Sequence, residues 1–348
     1  MNSYDPANLS PIAKAPTACT LPYDLTWADL RPILPDFAGQ GSAEAQAFAS
    51  HEKQGLNGGP NSCILTLRYP SSETRLRSET VFIKCTTNLA KAEAQKYQFL
   101  ASHGVPTPRL LGVIRRGGTE IIFLEFLPAI GIDFRDAGEV NSLLQLVAQL
   151  NSVQNPPDLF HQPSGDPQDE SHAAFDRSVR AALTELSRAR ALPVPIDVPR
   201  WFSAYQIAQE ASNSMPLAVN HDEFYFQQVG WAKRGAARQL VIFDLETMSL
   251  RPRFTDIANI LYPLAMYTGR DQVELFGVYL DRLRQLNQLE LSTDEALREL
   301  RLLRVTTECY SLPWRIDQAK RSDTRDSRDG LSMTAKCLHN DLVALGFS

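Results

Sequence analysis

The sequence predicts an α+β fold in two lobes: a small antiparallel sheet carrying one helix, then a larger, mainly helical part. Three observations predict it. Four strand-like runs and one helical run fall within the first 127 residues. Apolar residues recur at helical spacing through most of the remainder. The length of 348 residues, 43% of them apolar, accommodates either two domains or one bilobal unit with a large core.

The elements follow in chain order. Met1 to about Pro22 is rich in Pro, Ala, Ser and Thr, has no period, and reads as a poorly ordered tail. Gly55 to Asn61 is a glycine-rich entry to a first strand, Cys63 to Tyr69. A Ser- and Arg-rich connection then suits a hairpin into a second strand, Thr80 to Cys85. Leu89 to Leu100 is dense in helix formers, with Leu89, Tyr97 and Leu100 facing inward. His103-Gly104 ends this helix, and Val105-Pro-Thr-Pro108 forces an extended exit. Leu110 to Ile114 and Glu120 to Leu127 are two more strands around the turn Arg115 to Gly118.

Beyond Leu127, Val140, Leu143, Leu144, Val147 and Leu150 mark one helix, and Ser292-Thr-Asp-Glu295 is a capping box opening another. Asn155 to Glu170, rich in Pro, Asp and Gln, reads as a surface loop or lid. Gln239 to Phe243 is a strand set among helices. The predicted division is a tail over 1–22, a first lobe over 23–127 and a helical lobe over 128–348.

Composition excludes more than it identifies. Thirty-five basic against 40 acidic residues leave a net charge of −5, without the basic excess of a nucleic-acid binder. The longest mainly apolar stretch, Glu120 to Ile132, is interrupted by Glu125 and Pro128 and is too short to cross a bilayer. The N-terminus lacks the basic start and apolar run of a secretory signal. The five cysteines, Cys19, Cys63, Cys85, Cys309 and Cys337, form no CxxC pair, so a disulfide framework or thiolate zinc site is not expected. The expected setting is cytoplasmic, with no nucleic-acid or membrane partner.

The chemistry concentrates between Leu217 and Glu246. Asp222 is followed five residues on by the amide of Gln227, and Asp244 stands at the end of the next strand. Phosphoryl transfer needs a carboxylate to orient an attacking hydroxyl and oxygen ligands for Mg²⁺ on the nucleotide phosphates. These three side chains supply those groups. Arg253-Phe-Thr-Asp-Ile-Ala-Asn259 follows closely.

This order resembles the aminoglycoside phosphotransferase and choline kinase superfamily, with its protein-kinase-like fold. The family's catalytic loop is His-x-Asp-x-x-x-x-Asn, its metal turn is Ile-Asp-Phe/Trp-Glu-like, and a later Asp heads an Asp-Ile/Leu-Ala-Asn-like helix. Val241-Ile-Phe-Asp-Leu-Glu246 and Thr255-Asp-Ile-Ala-Asn259 resemble the last two. Gly58-Gly59-Pro-Asn61 resembles the family's Gly-Gly-x-x-Asn phosphate loop, Val81-Phe-Ile-Lys84 its lysine strand, and Glu93 the helix glutamate that holds the lysine. His103 to Arg109 and Ile122 to Pro128 resemble the linker and hinge. The likeness spans roughly Asn57 to Pro263.

The resemblance implies an enzyme binding ATP and Mg²⁺. Gly58, Gly59, Asn61, Lys84 and Glu93 would serve the phosphates, and Glu125 to Leu127 would line the adenine. Gln227 and Asp244 would hold the metal, and Asp222 would orient the acceptor. The acceptor would be a hydroxyl of a small molecule such as an amino alcohol, sugar or antibiotic. The alternatives are a Ser/Thr kinase for precursor peptides of modified natural products, and a non-catalytic nucleotide-binding pseudokinase.

The chain departs from the pattern in three places. Asn220 stands for the family's histidine, with the histidine itself at His221. Gln227 stands for its asparagine, one methylene longer. The aromatic run Phe224-Tyr-Phe226 replaces small residues. Asn220 would then supply the hydrogen bond that braces the metal turn. His221 beside Asp222 has no GxSxG serine to act with, and the other histidines lack metal-ligand spacing. Asp256 is expected to anchor the catalytic loop, Trp314 to pack in the core, and Asp317 to Asp329 to form a solvated charged segment.

Overall fold

The computed structural model describes residues 21–34, 47–48, 62–70, 76–89, 92–160, 168–188, 194–287, 289–322 and 325–347. Gly58, Gly59, Asn61 and Cys19 lie outside them, as do residues 1–20 of the expected tail and 161–167 of the expected lid. The chain divides into two units, Met1–Ala90 with Pro108–Phe126, and Lys91–Thr107 with Leu127–Ser348. The helix expected in the first lobe therefore belongs to the second unit. The periodicity that forms a helix does not say which core it joins.

The first unit is an antiparallel sheet in the order β1 (Ala47–Phe48), β2 (Ser62–Pro70), β3 (Leu76–Thr86), β5 (Thr119–Glu125), β4 (Leu110–Arg116). Two-residue alternation decides its faces. Cys63, Leu65 and Leu67, with Val81, Ile83, Ile121 and Phe123, form one buried surface. Its cover is the N-terminal segment, through Leu21, Leu25, Leu30, Ile33 and Leu34. Leu21 and Pro22, assigned to the tail from composition, are thus buried. A capping box starts the single-turn helix α1 (Trp27–Leu30): the Thr26 amide donates to Asp29 Oδ2 at 2.7 Å, and the Asp29 amide to Thr26 Oγ1 at 3.3 Å.

Lys84 lies on β3, paired with Ser62 on one side and Ile122 on the other. Glu125 ends β5, where its carboxylate accepts the Arg109 amide at 3.1 Å.

The second unit is mainly helical, and its order follows from burial stripes. In α3 (Ala137–Asn151), Val140, Leu143, Leu144, Val147 and Leu150 are all fully buried. Asp136 caps that helix, its Oδ1 accepting the amides of Gly138 and Glu139. The predicted capping box at Ser292 is formed, with the Ser292 amide 2.9 Å from Glu295 Oε2. It opens the helix Thr293–Ser322.

Leu89 and Trp314 depart from expectation. Leu89 is 46% exposed, because α2 (Glu93–Ser102) begins only at Glu93. Trp314 is 63% exposed on the flank of the Thr293–Ser322 helix, outside the core. Among the described residues no helix is long and apolar enough to cross a membrane.

Two small sheets shape the remainder of this unit. β6 (Ala129–Ile130) joins the hairpin of β8 (Val229–Arg234) and β9 (Ala237–Ile242), and β7 (Leu217–Asn220) pairs with β10 (Ser249–Pro252). β7 and β9 carry the candidate catalytic loop and metal turn at their C-terminal ends.

Candidate active site

A buried carboxylate organises the loop after β7. Asp256, in the first turn of the helix Thr255–Thr268, is fully buried. Its Oδ2 accepts the His221 amide at 2.9 Å and its Oδ1 the Asp222 amide at 3.2 Å. Asn151 adds a side-chain donor at 3.4 Å, while its own Oδ1 accepts the Tyr279 hydroxyl at 2.9 Å. Burial pushes the Asp256 carboxyl up to about 7, opposed by these donors. The expected anchoring role of Asp256 agrees with this geometry.

His221 braces the candidate metal turn. Its Nε2 lies 2.9 Å from the carbonyl oxygen of Phe243, and a carbonyl only accepts, so that nitrogen carries the proton. The Phe243 amide in turn donates to the carbonyl of Gln228 at 3.0 Å. The peptide units of Phe243, immediately before Asp244, are therefore held by His221 and Gln228. Asn220, expected to make this brace, does something else. Its amide nitrogen donates to the Ala218 carbonyl at 3.0 Å, and its oxygen accepts the Asp256 amide at 3.1 Å. Phe224 is buried edge-on against the His221 ring, 5.6 Å between centroids.

Both expected acidic residues sit in left-handed backbone, Asp222 at φ 74° and Asp244 at φ 63°. Outside glycine this region is uncommon, and surrounding contacts must hold it. For Asp222 they are the Asp256 clamp and an ion pair with Arg251 of β10: Nε to Oδ1 at 3.0 Å, Nη2 to Oδ2 at 2.8 Å. Ser249 adds a longer contact at 3.4 Å. At Asp244 the amide donates to the Tyr97 hydroxyl at 3.1 Å.

α2 holds the same turn from another side. Lys96 is 3% exposed, and its Nζ donates to the carbonyls of Glu246 at 2.9 Å and Met248 at 2.8 Å. These two bonds tie the helix to the turn. Lys96, Tyr97 as a hydrogen-bond partner, Asn151 and Arg251 were not singled out by motif. Lys96 offered one signal, a lysine on the apolar stripe of Ala94, Tyr97 and Leu100.

The other expected site residues divide between the units. Glu93 is buried at the start of α2 in the second unit, beside Tyr97, whose hydroxyl pKa is raised well above its usual value by burial and then by Glu93. Leu127 is also in the second unit, in a small cluster with Ala232 and Val241. Lys84 and Glu125 are in the first. Gln227 is exposed, whereas Gln228 is half-buried with its Oε1 accepting the Tyr225 amide.

Among the described residues no three His, Cys, Asp or Glu side chains gather to hold a metal. The donors at hand are the Asp244 carboxylate and a glutamine amide. Such an all-oxygen pair fits Mg²⁺, which characteristically takes its other ligands from phosphates and water.

No protein-family model matches the chain, and no curated protein matches it in sequence. Solved structures do match in backbone. A choline kinase from Cryptosporidium parvum superposes with a TM-score of 0.55 at 9% identity, covering 92% of this chain and 96% of that chain. The chain has the fold of the aminoglycoside phosphotransferase and choline kinase superfamily. An aminoglycoside phosphotransferase from Alicyclobacillus acidocaldarius gives 0.51 at 15% identity, over 80% of this chain and 89% of that one. A microcompartment-associated aminopropanol kinase gives 0.52 at 12% identity, over 88% and 94%. Within this fold, the His221 brace offers a second register for the His-x-Asp-x-x-x-x-Asn pattern: His221, Asp222 as spacer, Glu223 and Gln228. It differs by one residue from the register through Asn220, Asp222 and Gln227.

Proposed function

We propose that the chain is a phosphotransferase that moves the γ-phosphate of ATP to a hydroxyl of a small molecule. The observation that carries this reading is the Asp256-clamped loop whose His221 and Gln228 hold the residue before Asp244, in a chain of this fold. Lys84, Glu93 and the Gly58-Gly59-Pro-Asn61 loop keep the phosphate-binding roles implied by the resemblance, and Glu125 and Leu127 the adenine.

The catalytic carboxylate is better placed at Glu223 than at Asp222. Both oxygens of Asp222 already serve Arg251, so the residue works as a positioning group. Glu223 is exposed beside it. The amide ligand moves with it, from Gln227 to Gln228. Relative to the family pattern both side chains are then one methylene longer, so the acid and the amide are extended together.

Bound Mg²⁺ supplies charge neutralisation at the phosphates. Glu223 accepts the proton of the acceptor hydroxyl as its oxygen bonds to the γ-phosphorus. The bond from that phosphorus to the bridging oxygen breaks, and ADP leaves. The Asp256 clamp and the His221 brace hold the loop and turn so that neither reorganises during the step.

The test is a phosphate-transfer screen of candidate alcohols with two variants. Glu223→Gln is expected to lower kcat by about 10²-fold or more, the usual scale for a lost general base, and Asp222→Asn by less than about tenfold. The reverse order returns the base to Asp222. Tight Mg²⁺–ATP binding with no transfer to any alcohol or peptide leaves a nucleotide-binding role alone.

A further inference from the structure

The helices Thr293–Ser322 and Arg325–Ala344 face each other across a cavity of about 190 Å³. Its walls follow from one spacing used twice. Leu297, Leu300, Arg301 and Arg304 stand at i, i+3, i+4 and i+7, on one face of the first helix. Cys337, Asn340, Asp341 and Ala344 repeat that spacing on the second. Cysteine and alanine are short, which leaves room between the two faces. Leu261 and Leu300, each 1% exposed, make the floor, and the exposed Asn340 and Ala344 stand at the mouth. None of the lining residues belongs to the loop after β7 or to the turn at Asp244.

The charge in this cavity is unbalanced. Arg304 is answered: its Nε lies 3.0 Å from Asp341 Oδ2, and its Nη1 donates to the Gln272 amide oxygen. Asp341, which is buried, is the one carboxylate in the wall. Arg301 is half-buried, and among the described residues it makes no hydrogen bond or ion pair. Two guanidiniums thus share one carboxylate. The adjoining hollow past Arg301 carries Asp294 and Arg298, whose charges balance each other and leave that of Arg301 in place. A guanidinium drawn partly out of water without a partner is costly, and an incoming anion removes that cost.

We infer that this cavity binds a small organic carboxylate, its charged end on Arg301 and its apolar body on Leu261 and Leu300. A carboxylate matches the guanidinium fork, which holds both oxygens at once. A cavity of about 150 Å³ already takes a benzene-sized molecule, so the space here suits a body of that size. A bare inorganic anion would leave the leucine floor uncovered, and a cation would meet like charge. The site shares no residue with the catalytic loop and does not depend on the phosphotransferase reading.

The test measures binding to the full chain by calorimetry or saturation-transfer NMR, with benzoate, benzamide, benzylamine and inorganic phosphate as probes. Benzoate is expected to bind at least about tenfold more tightly than neutral benzamide or cationic benzylamine, which keep the ring and change the charge. Arg301→Gln is expected to weaken benzoate by about tenfold or more and to leave benzamide unchanged. Arg301 makes no hydrogen bond, so its loss leaves the fold intact, and a thermal melt checks this. Ala344→Trp sets a bulky ring at the exposed mouth and is expected to block benzoate with Arg301 still in place. No benzoate binding at millimolar concentration overturns the inference, as does equal binding of benzamide or unchanged benzoate binding in Arg301→Gln. Displacement of benzoate by an equal concentration of inorganic phosphate overturns the organic carboxylate in favour of a plain anion site.

Discussion

Arg251 grips both carboxylate oxygens of Asp222, at 3.0 and 2.8 Å, across the joint between β10 and the loop after β7. The pair is partly exposed, 36% for the arginine side chain and 22% for the aspartate, so solvent screens it. Its bidentate geometry gives it more than a typical surface pair. It also holds a residue at φ 74° whose backbone would otherwise relax. Asp222→Asn and Arg251→Met are each expected to cost about 1–2 kcal/mol, and the double variant about 1 kcal/mol less than their sum. A double-mutant cycle by denaturant unfolding measures this. Strict additivity would mean that the two side chains do not support each other.

The legibility of the fold and of the site differed for a physical reason. Alternation at Cys63, Leu65 and Leu67 and the stripe from Val140 to Leu150 are local patterns, and burial follows them directly. The capping box at Ser292 is likewise closed by neighbours three residues apart. The loop register is not local. Asn220-His-Asp-Glu223 offers a carboxylate at either of two adjacent positions, and the discriminating bond joins His221 to Phe243, 22 residues away. Lys96 reaches its acceptors about 150 residues on, which no spacing rule anticipates. Trp314 shows the opposite failure: an apolar aromatic residue within a helical pattern that faces out.

Asp256 should titrate far above the ordinary carboxylate range. Burial raises its pKa to about 7, against donors at His221, Asn151 and Asp222 that lower it. Because the folded value exceeds the unfolded value of 3.8, the native state binds the extra proton. This group's contribution to stability is therefore full below about pH 4 and is lost as pH rises through 7, opposite to an ion-paired carboxylate. A ¹³C NMR titration of the Asp256 carboxyl carbon reads the midpoint directly. A midpoint near 4 would show that the three donors fully offset desolvation.

Lys96 and Tyr97 are expected to separate structure from site. Lys96→Met removes a buried ammonium and strands the Glu246 and Met248 carbonyls, at a cost of about 2–4 kcal/mol. Tyr97→Phe removes only the acceptor for the Asp244 amide, about 1 kcal/mol in stability. Its larger effect should fall on the metal turn, as a several-fold rise in the Mg²⁺ concentration needed for nucleotide binding. Thermal melts and Mg²⁺ titrations of the two variants check the contrast. Equal Mg²⁺ dependence in Tyr97→Phe and the unaltered chain would remove Tyr97 from the site.

Gly112 is required by the N-terminal cover of the first sheet. A Cβ there would stand 2.7 Å from Ile33 Cγ1 and 3.1 Å from both Cδ1 and Cγ2. Ile33 is 8% exposed and β-branched, with little rotamer freedom to move aside. Gly112→Ala should therefore destabilise by about 1–3 kcal/mol, the usual cost of overpacking. The obstacle is a side chain, so shortening it should relieve the clash. Ile33→Ala alone opens a cavity and costs about 2–4 kcal/mol, but in that background Gly112→Ala fills space and should be neutral or stabilising. Unfolding curves for the four proteins decide it. If Gly112→Ala costs the same with and without Ile33, the constraint lies in the β4 backbone, where the β4–β5 register shifts between Leu110 and Gly112, and not in the packing of the N-terminal segment.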